Sequence, residues 1–149
     1  MKHEPIFNWD ENFGTASCIL TDGQKVFTGF AQCHPEDMDM SSEKTGCEIA
    51  FRRARINVLR GYRDELKIKL QALNQLYHNM IRSHRFNEKS YENVMLQKQI
   101  RMINFDLTTT KEMIATEEEN LRKYLSDKEE FYTKTRIRRV QRAQKADNN

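Results

Sequence analysis

Two short stretches rich in β-branched and aromatic residues, Thr15 to Thr21 and Lys25 to Ala31, flank Asp22-Gly23. That spacing predicts a β-hairpin. With Asp22 and Gly23 as the two loop residues, Cys18 lies opposite Phe27 and Ile19 opposite Val26. Leu20, Cys18 and Phe27 then share one face, and Ile19, Val26 and Phe30 share the other. Neither face is polar, so the hairpin needs cover: one side from the helix that follows, the other from Phe7, Trp9 and Phe13. Beyond residue 44 the pattern changes period. Leu59, Leu66, Leu73 and Met80 recur every seven residues, with Leu70, Leu76 and Tyr77 alongside, and no proline interrupts them. This predicts a long amphipathic helix. After Ser83 to Ser90 breaks the pattern, Leu96, Ile103, Thr110, Glu117, Tyr124 and Phe131 form one heptad set. Ile100, Leu107, Ile114 and Leu121 form the other. A seam of period 3.5 follows, interrupted by Thr110 and Glu117.

The expected fold class is α+β, mostly α: an N-terminal β-hairpin packed on a long antiparallel helical hairpin, or coiled coil. Its parts are a hairpin head with an acidic loop over 1–44, a helical hairpin over 45–133 that turns near 86–90, and a basic tail over 134–149. The first helix begins between 42 and 46, because Thr45-Gly-Cys-Glu48 has the form of a capping box and Ser42 offers a competing cap one turn earlier. Asn87 or Ser90 caps the second. Dimerisation through leftover apolar surface stays open.

Composition narrows the class further. The 149 residues are 32% charged and 38% hydrophobic, with 5 Gly and 2 Pro, and mean hydropathy is −0.86. Such a chain favours long polar-coated helices over a large core with many turns. No stretch is apolar enough to span a bilayer. The start lacks the basic-then-apolar run of a secretory signal, so a cytoplasmic setting with reduced thiols is expected.

The net charge of +3 conceals an offset. Residues 1–48 carry three lysines against nine acids, or −6, and the remainder carries +9. An acidic head and a basic stalk suit two charged partners, or each other. Arg52, Arg53, Arg55, Arg60 and Arg63 open the long helix, and Arg136, Arg138, Arg139 and Arg142 crowd the tail; both groups are candidates for phosphate or partner contact. Glu36, Asp37 and Asp39 are candidates for an acidic partner-binding patch. Their place before a helix N-terminus also explains them without any partner. The acidic stretch at 117–130 would lie opposite the basic start of the first helix in an antiparallel pair, which competes with nucleic-acid binding by neutralising it.

Enzymatic signals are weak. Cys18, Cys33, His34 and Cys47 could supply a zinc set, but no C-x2-C knuckle occurs and Cys33 and His34 are adjacent. A Cys-His nucleophile pair has no third orienting group. There is no Gly-rich phosphate loop, no G-x-S-x-G and no H-E-x-x-H. The expectation is a non-enzymatic protein with no catalytic residue, no metal and no cofactor.

The run Phe13-Gly-Thr-Ala-Ser-Cys18, then Thr28-Gly-Phe-Ala31, Cys33-His34-Pro35-Glu-Asp37, Gly46, Ile49-Ala50 and Arg53-Ala54 resembles small accessory proteins encoded by phages and prophages of Gram-positive bacteria. The resemblance covers residues 13 to 60. It implies an accessory protein of the host bacterial cytoplasm that occupies a nucleic acid-processing protein complex or its RNA or DNA. Anti-CRISPR-type inhibitors of host defence nucleases are similar in size and charge. In that expectation Glu36, Asp37 and Asp39 occupy basic protein surface, while the arginines grip bound nucleic acid. The alternatives are a homodimer that binds nucleic acid directly in phage replication or recombination, and a structural coiled-coil adapter.

Overall fold

Three strands, β1 (Ile6–Asp10), β2 (Thr15–Asp22) and β3 (Lys25–Gln32), form an antiparallel meander in the order β1-β2-β3. The computed structural model describes residues 4–83, 87 and 89–147; the side chains of Glu36 and Asp147 lie outside that description. A 3-10 helix, Pro35–Met40, follows the sheet, and then come α1 (Glu43–Arg82) and α2 (Tyr91–Asp147). With 73% helix and 15% strand, the class is α+β and mostly α.

The expected hairpin is thus two strands of a three-stranded sheet, with its register shifted by two residues. Cys18 pairs with Gly29 and Leu20 with Phe27, so Gly23-Gln24 is the two-residue loop. The turn chemistry explains the shift. Gly23 has φ +59° and no other residue of the turn has positive φ, the signature of a type II′ turn with glycine in the first central position. A shift of two leaves each side chain on its expected face.

β1 explains the second departure. It pairs beside β2, with Phe7 opposite Cys18 and Trp9 opposite Ala16, so the pleat carries both aromatics to the inner face. They do not cover the outer face. Ile6, Val26 and Phe30 are more than 60% exposed there, and Phe13 is exposed in the β1–β2 loop.

The chain forms two compact units, one of residues 1–57 with 117–149 and the other of residues 58–116. In the first unit the inner sheet face meets α1 through small residues. Ala16, Cys18, Leu20 and Ala31 are buried, as are Ala50, Ala54 and Ile56. A Cβ at Gly29 would fall on the Ala50 carbonyl oxygen and the Ala54 nitrogen, and one at Gly46 would lie 2.8 Å from the Trp9 ring. Glycine at both places lets helix and sheet close on each other. Ser42 supplies the cap of α1, its Oγ accepting the Thr45 N–H at 3.4 Å. Arg53 and Asn57, one turn apart, donate to the Phe30 and Thr28 carbonyls at 2.5 and 2.8 Å, covering the outer edge of β3.

α2 contains no proline or glycine and stays helical through Asp147. Residues 134–147, expected as a tail distinct from the helical hairpin, are its last turns, and those turns belong to the same unit as the sheet. Phe131, expected in the seam, is exposed, while Tyr132 is half-buried.

The second unit is a helical hairpin. Leu66, Leu96, Leu107 and Ile114 are buried, and so is Thr110, whose hydroxyl donates to the Asp106 carbonyl at 2.7 Å. Thr110 therefore occupies the seam rather than interrupting it. Of the expected 86–90 turn, residues 86 and 88 lie outside the described residues. Ser90 caps α2 by accepting the Asn93 N–H at 3.3 Å, and buried Asn93 donates to the Asn87 carbonyl.

Candidate partner-binding surface

Asp37 sits in the 3-10 helix, which Pro35 can open because its missing N–H needs no partner there. That helix places Asp37 under α2 with only 5% of the residue exposed. Its carboxylate accepts from Arg136 Nε at 2.8 Å and from Nη2. Three residues further along α2, Arg139 pairs with Asp39. The spacing of two along the 3-10 helix and three along α2 brings both pairs into line. Two of the three acids expected to bind a basic partner are therefore neutralised within the chain; the third, Glu36, has its side chain outside the described residues.

The arginines of α1 are similarly engaged. Arg52 binds Glu48 at 2.7 Å and lies over the Tyr124 ring, 5.0 Å from its centroid. Arg53 holds the β3 edge, Arg55 binds Glu117 at 3.1 Å, and Arg63 binds neighbouring Asp64 at 2.9 Å. The exposed Arg60 also has an interaction within the chain. The pairs Arg55–Glu117 and Arg52–Tyr124 run in opposite directions along the two helices, so the acidic stretch of α2 meets the basic start of α1 antiparallel.

The last turns of α2 sort their cations by face. At about 100° per residue, Arg136 and Arg139 turn toward Asp37 and Asp39, while Arg138, Arg142 and Lys145 share a different arc. These three are exposed, and among the described residues none has an ion-pair partner. Ile137 and Val140, also more than half exposed, lie on the same turns. At about 100° per residue Ile137 and Val140 lie about 100° and 160° round the helix from Arg138, so the end of α2 presents its exposed cations and its exposed apolar side chains on different arcs.

Beside the Asp37–Arg136 pair lies a cavity of about 430 Å³, floored by Trp9, Ala31, Ile49 and Leu125 and edged by Thr45 and Tyr132. Nothing in the sequence pattern marked this cavity, because its walls come from the sheet, the start of α1 and the far end of α2. Burial pushes the Tyr132 phenol above its ordinary range, the charges of Cys33, Asp37 and Tyr124 add to the rise, and a hydrogen bond with Thr45 opposes it. All three thiols are pushed up as well, first by burial. Cys47 adds to the rise at Cys18, Asp37 and Asp39 at Cys33, and Glu43 at Cys47. A raised thiol is the reverse of what a cysteine nucleophile needs. The Cys33 thiol donates to the Asp37 carbonyl at 3.3 Å. Among the described residues no three His, Cys, Asp or Glu side chains gather around a position for a metal ion.

These shifts fix a pH response. A group that holds its proton more tightly folded than unfolded stabilises the fold below its unfolded pKa, and that contribution is lost as pH rises. Urea midpoints should therefore be level near neutrality, decline above about pH 8.5 as the thiols titrate in the unfolded chain, and fall further above about pH 10 through Tyr132. Tyr132→Phe should flatten the second decline. Midpoints that rise between pH 8.5 and 11 would contradict the assignment.

No helix among the described residues is long and apolar enough to cross a membrane. No family model matches the chain, and comparison with curated proteins and with solved structures finds no match.

Proposed function

We propose that this chain is a non-enzymatic, phage-type accessory protein that binds a nucleic acid-processing protein complex in the cytoplasm of the host bacterial cell. Anti-CRISPR-type inhibition of a defence nuclease is the activity this reading favours. Its main support is the sorting of cations at the end of α2, where Arg138, Arg142 and Lys145 share one exposed arc without ion-pair partners among the described residues. Three cations on one exposed arc suit an acidic face of a partner protein. Asp37 and Asp39, being paired, act in this reading as the brace that fixes the end of α2 rather than as phosphate mimics.

The test is retention of proteins from a nuclease-treated bacterial lysate on the immobilised chain, compared with an Arg138→Ala, Arg142→Ala, Lys145→Ala variant. One protein complex should remain on the unaltered chain and be lost from the variant, with helix content unchanged. Its nuclease activity should fall when the unaltered chain is added. Loss of all bound protein on nuclease treatment would instead favour direct nucleic-acid binding, which the same three exposed cations also support. That second reading carries a number: three neutralised phosphates give a slope of log affinity against log salt of about −2 to −3. A slope unchanged by the triple substitution would remove it.

A further inference from the structure

α2 carries a second apolar face that the helical hairpin leaves uncovered. Tyr91, Val94, Met102, Phe105 and Met113 fall within one arc of about 100°, roughly opposite the buried residues Leu96, Leu107 and Ile114. Tyr91 is 77% and Phe105 71% exposed, and the other three are each about half exposed. Aromatic side chains of this size bury on the order of 150–250 Å² each when covered, and a patch this large on one helix face marks an interaction surface. Val94 and Phe105 are eleven residues apart, as are Met102 and Met113. That period keeps the face nearly straight along the helix. Near its middle, Lys98, Arg101, Met102, Phe105 and Asp106 enclose a depression of about 290 Å³.

We propose that this face, from Tyr91 to Thr116, docks a second copy of this chain, antiparallel about a two-fold axis. The sequence along the face is complementary to its own reverse. In the register that sets Met102 level with the partner's Phe105, symmetry sets Phe105 level with the partner's Met102, and Val94 falls level with the partner's Met113. Each Phe105 then enters the depression beside Met102 of the other copy, the reciprocal arrangement an isologous contact requires. The charges agree with the same register. Lys98, at the centre of the face, comes within about one helical turn of the partner's Glu112 on the same flank, and the pair occurs twice by symmetry. Among the described residues neither Lys98 nor Glu112 has an ion-pair partner in its own chain. A partner of unrelated sequence would have no reason to match both the apolar spacing and the charge order. The proposal is independent of the function above, since Arg138, Arg142 and Lys145 lie outside residues 91–116.

The experiment is analytical ultracentrifugation of the full chain across micromolar to submillimolar concentrations, with circular dichroism to confirm that each variant is folded. The unaltered chain should sediment as a dimer, and Phe105→Arg as a folded monomer. Lys98→Glu and Glu112→Lys should each weaken dimerisation several-fold, and the two together should restore it. A chain that remains monomeric at every concentration would overturn the proposal. So would a dimer that survives Phe105→Arg, or one that the charge exchange leaves unaffected.

Discussion

Gly29→Val is expected to leave the chain without a folded first unit. The Cβ it adds would fall on the Ala50 carbonyl oxygen and the Ala54 nitrogen. Both are backbone atoms of α1 that cannot swing aside as a side chain would. Overpacking a core costs about 1–3 kcal/mol where side chains can yield. Here α1 must lift off the sheet, which also separates Arg53 and Asn57 from the Phe30 and Thr28 carbonyls. Even Gly29→Ala should cost about 3 kcal/mol or more, a large part of the 5–15 kcal/mol that holds a typical domain. Gly23→Ala is the control. Nothing lies within 4 Å of its added Cβ, but φ is +59°, so the cost should be the left-handed penalty of about 1–2 kcal/mol. Urea denaturation followed by circular dichroism separates the two, and equal losses would mean that close approach at Gly29 is not what that glycine serves.

Arg136→Ala is the second large effect. It strips both donors from the buried carboxylate of Asp37, whose side chain is 8% exposed, although Arg136 itself is 42% exposed. Leaving a buried charge unpaired costs about 3–5 kcal/mol, and the partial exposure of the arginine brings the expected loss to about 2–3 kcal/mol. Arg139→Ala, at an exposed pair, should cost under about 1 kcal/mol, and Arg138→Ala should be neutral within about 0.5 kcal/mol. Asp37→Asn combined with Arg136→Ala should recover part of the loss, since the amide removes the stranded charge. An Arg136→Ala variant as stable as Arg138→Ala would show that the Asp37 pair does not brace the end of α2.

What the sequence made legible followed from local periodicity. The two-residue period of β2 and β3 assigned each side chain to its face even with the register displaced by two, because displacement by an even number preserves the pleat. The heptads placed Leu66, Leu96, Leu107 and Ile114 in the seam. β1 was missed because Ile6 to Asp10 has only five residues, and its aromatics Phe7 and Trp9 read as cover rather than as strand. The candidate surface was less legible for a related reason. Charge counts put acids in the head and bases in the tail, but which arginines meet acids depends on helix phase and on contacts across 99 residues, as in Asp37 with Arg136. Arg53 shows the limit of charge reading: it counts as a phosphate contact by sign, yet its guanidinium donates to the Phe30 carbonyl.

The first unit draws its residues from both ends of the chain, 1–57 and 117–149. During synthesis the sheet and the first turns of α1 leave the ribosome well before Leu125, Tyr132 and Arg136 exist to close the cavity beside Trp9. At about 5–20 residues per second the head would wait several seconds with Asp37 unpaired and one side of Trp9 open. The intervening residues 58–116 leave the ribosome during that interval, ahead of the last turns of α2. Closing the first unit is then a late, long-range event in the birth of the molecule, and the time at which Arg136 meets Asp37 marks its completion.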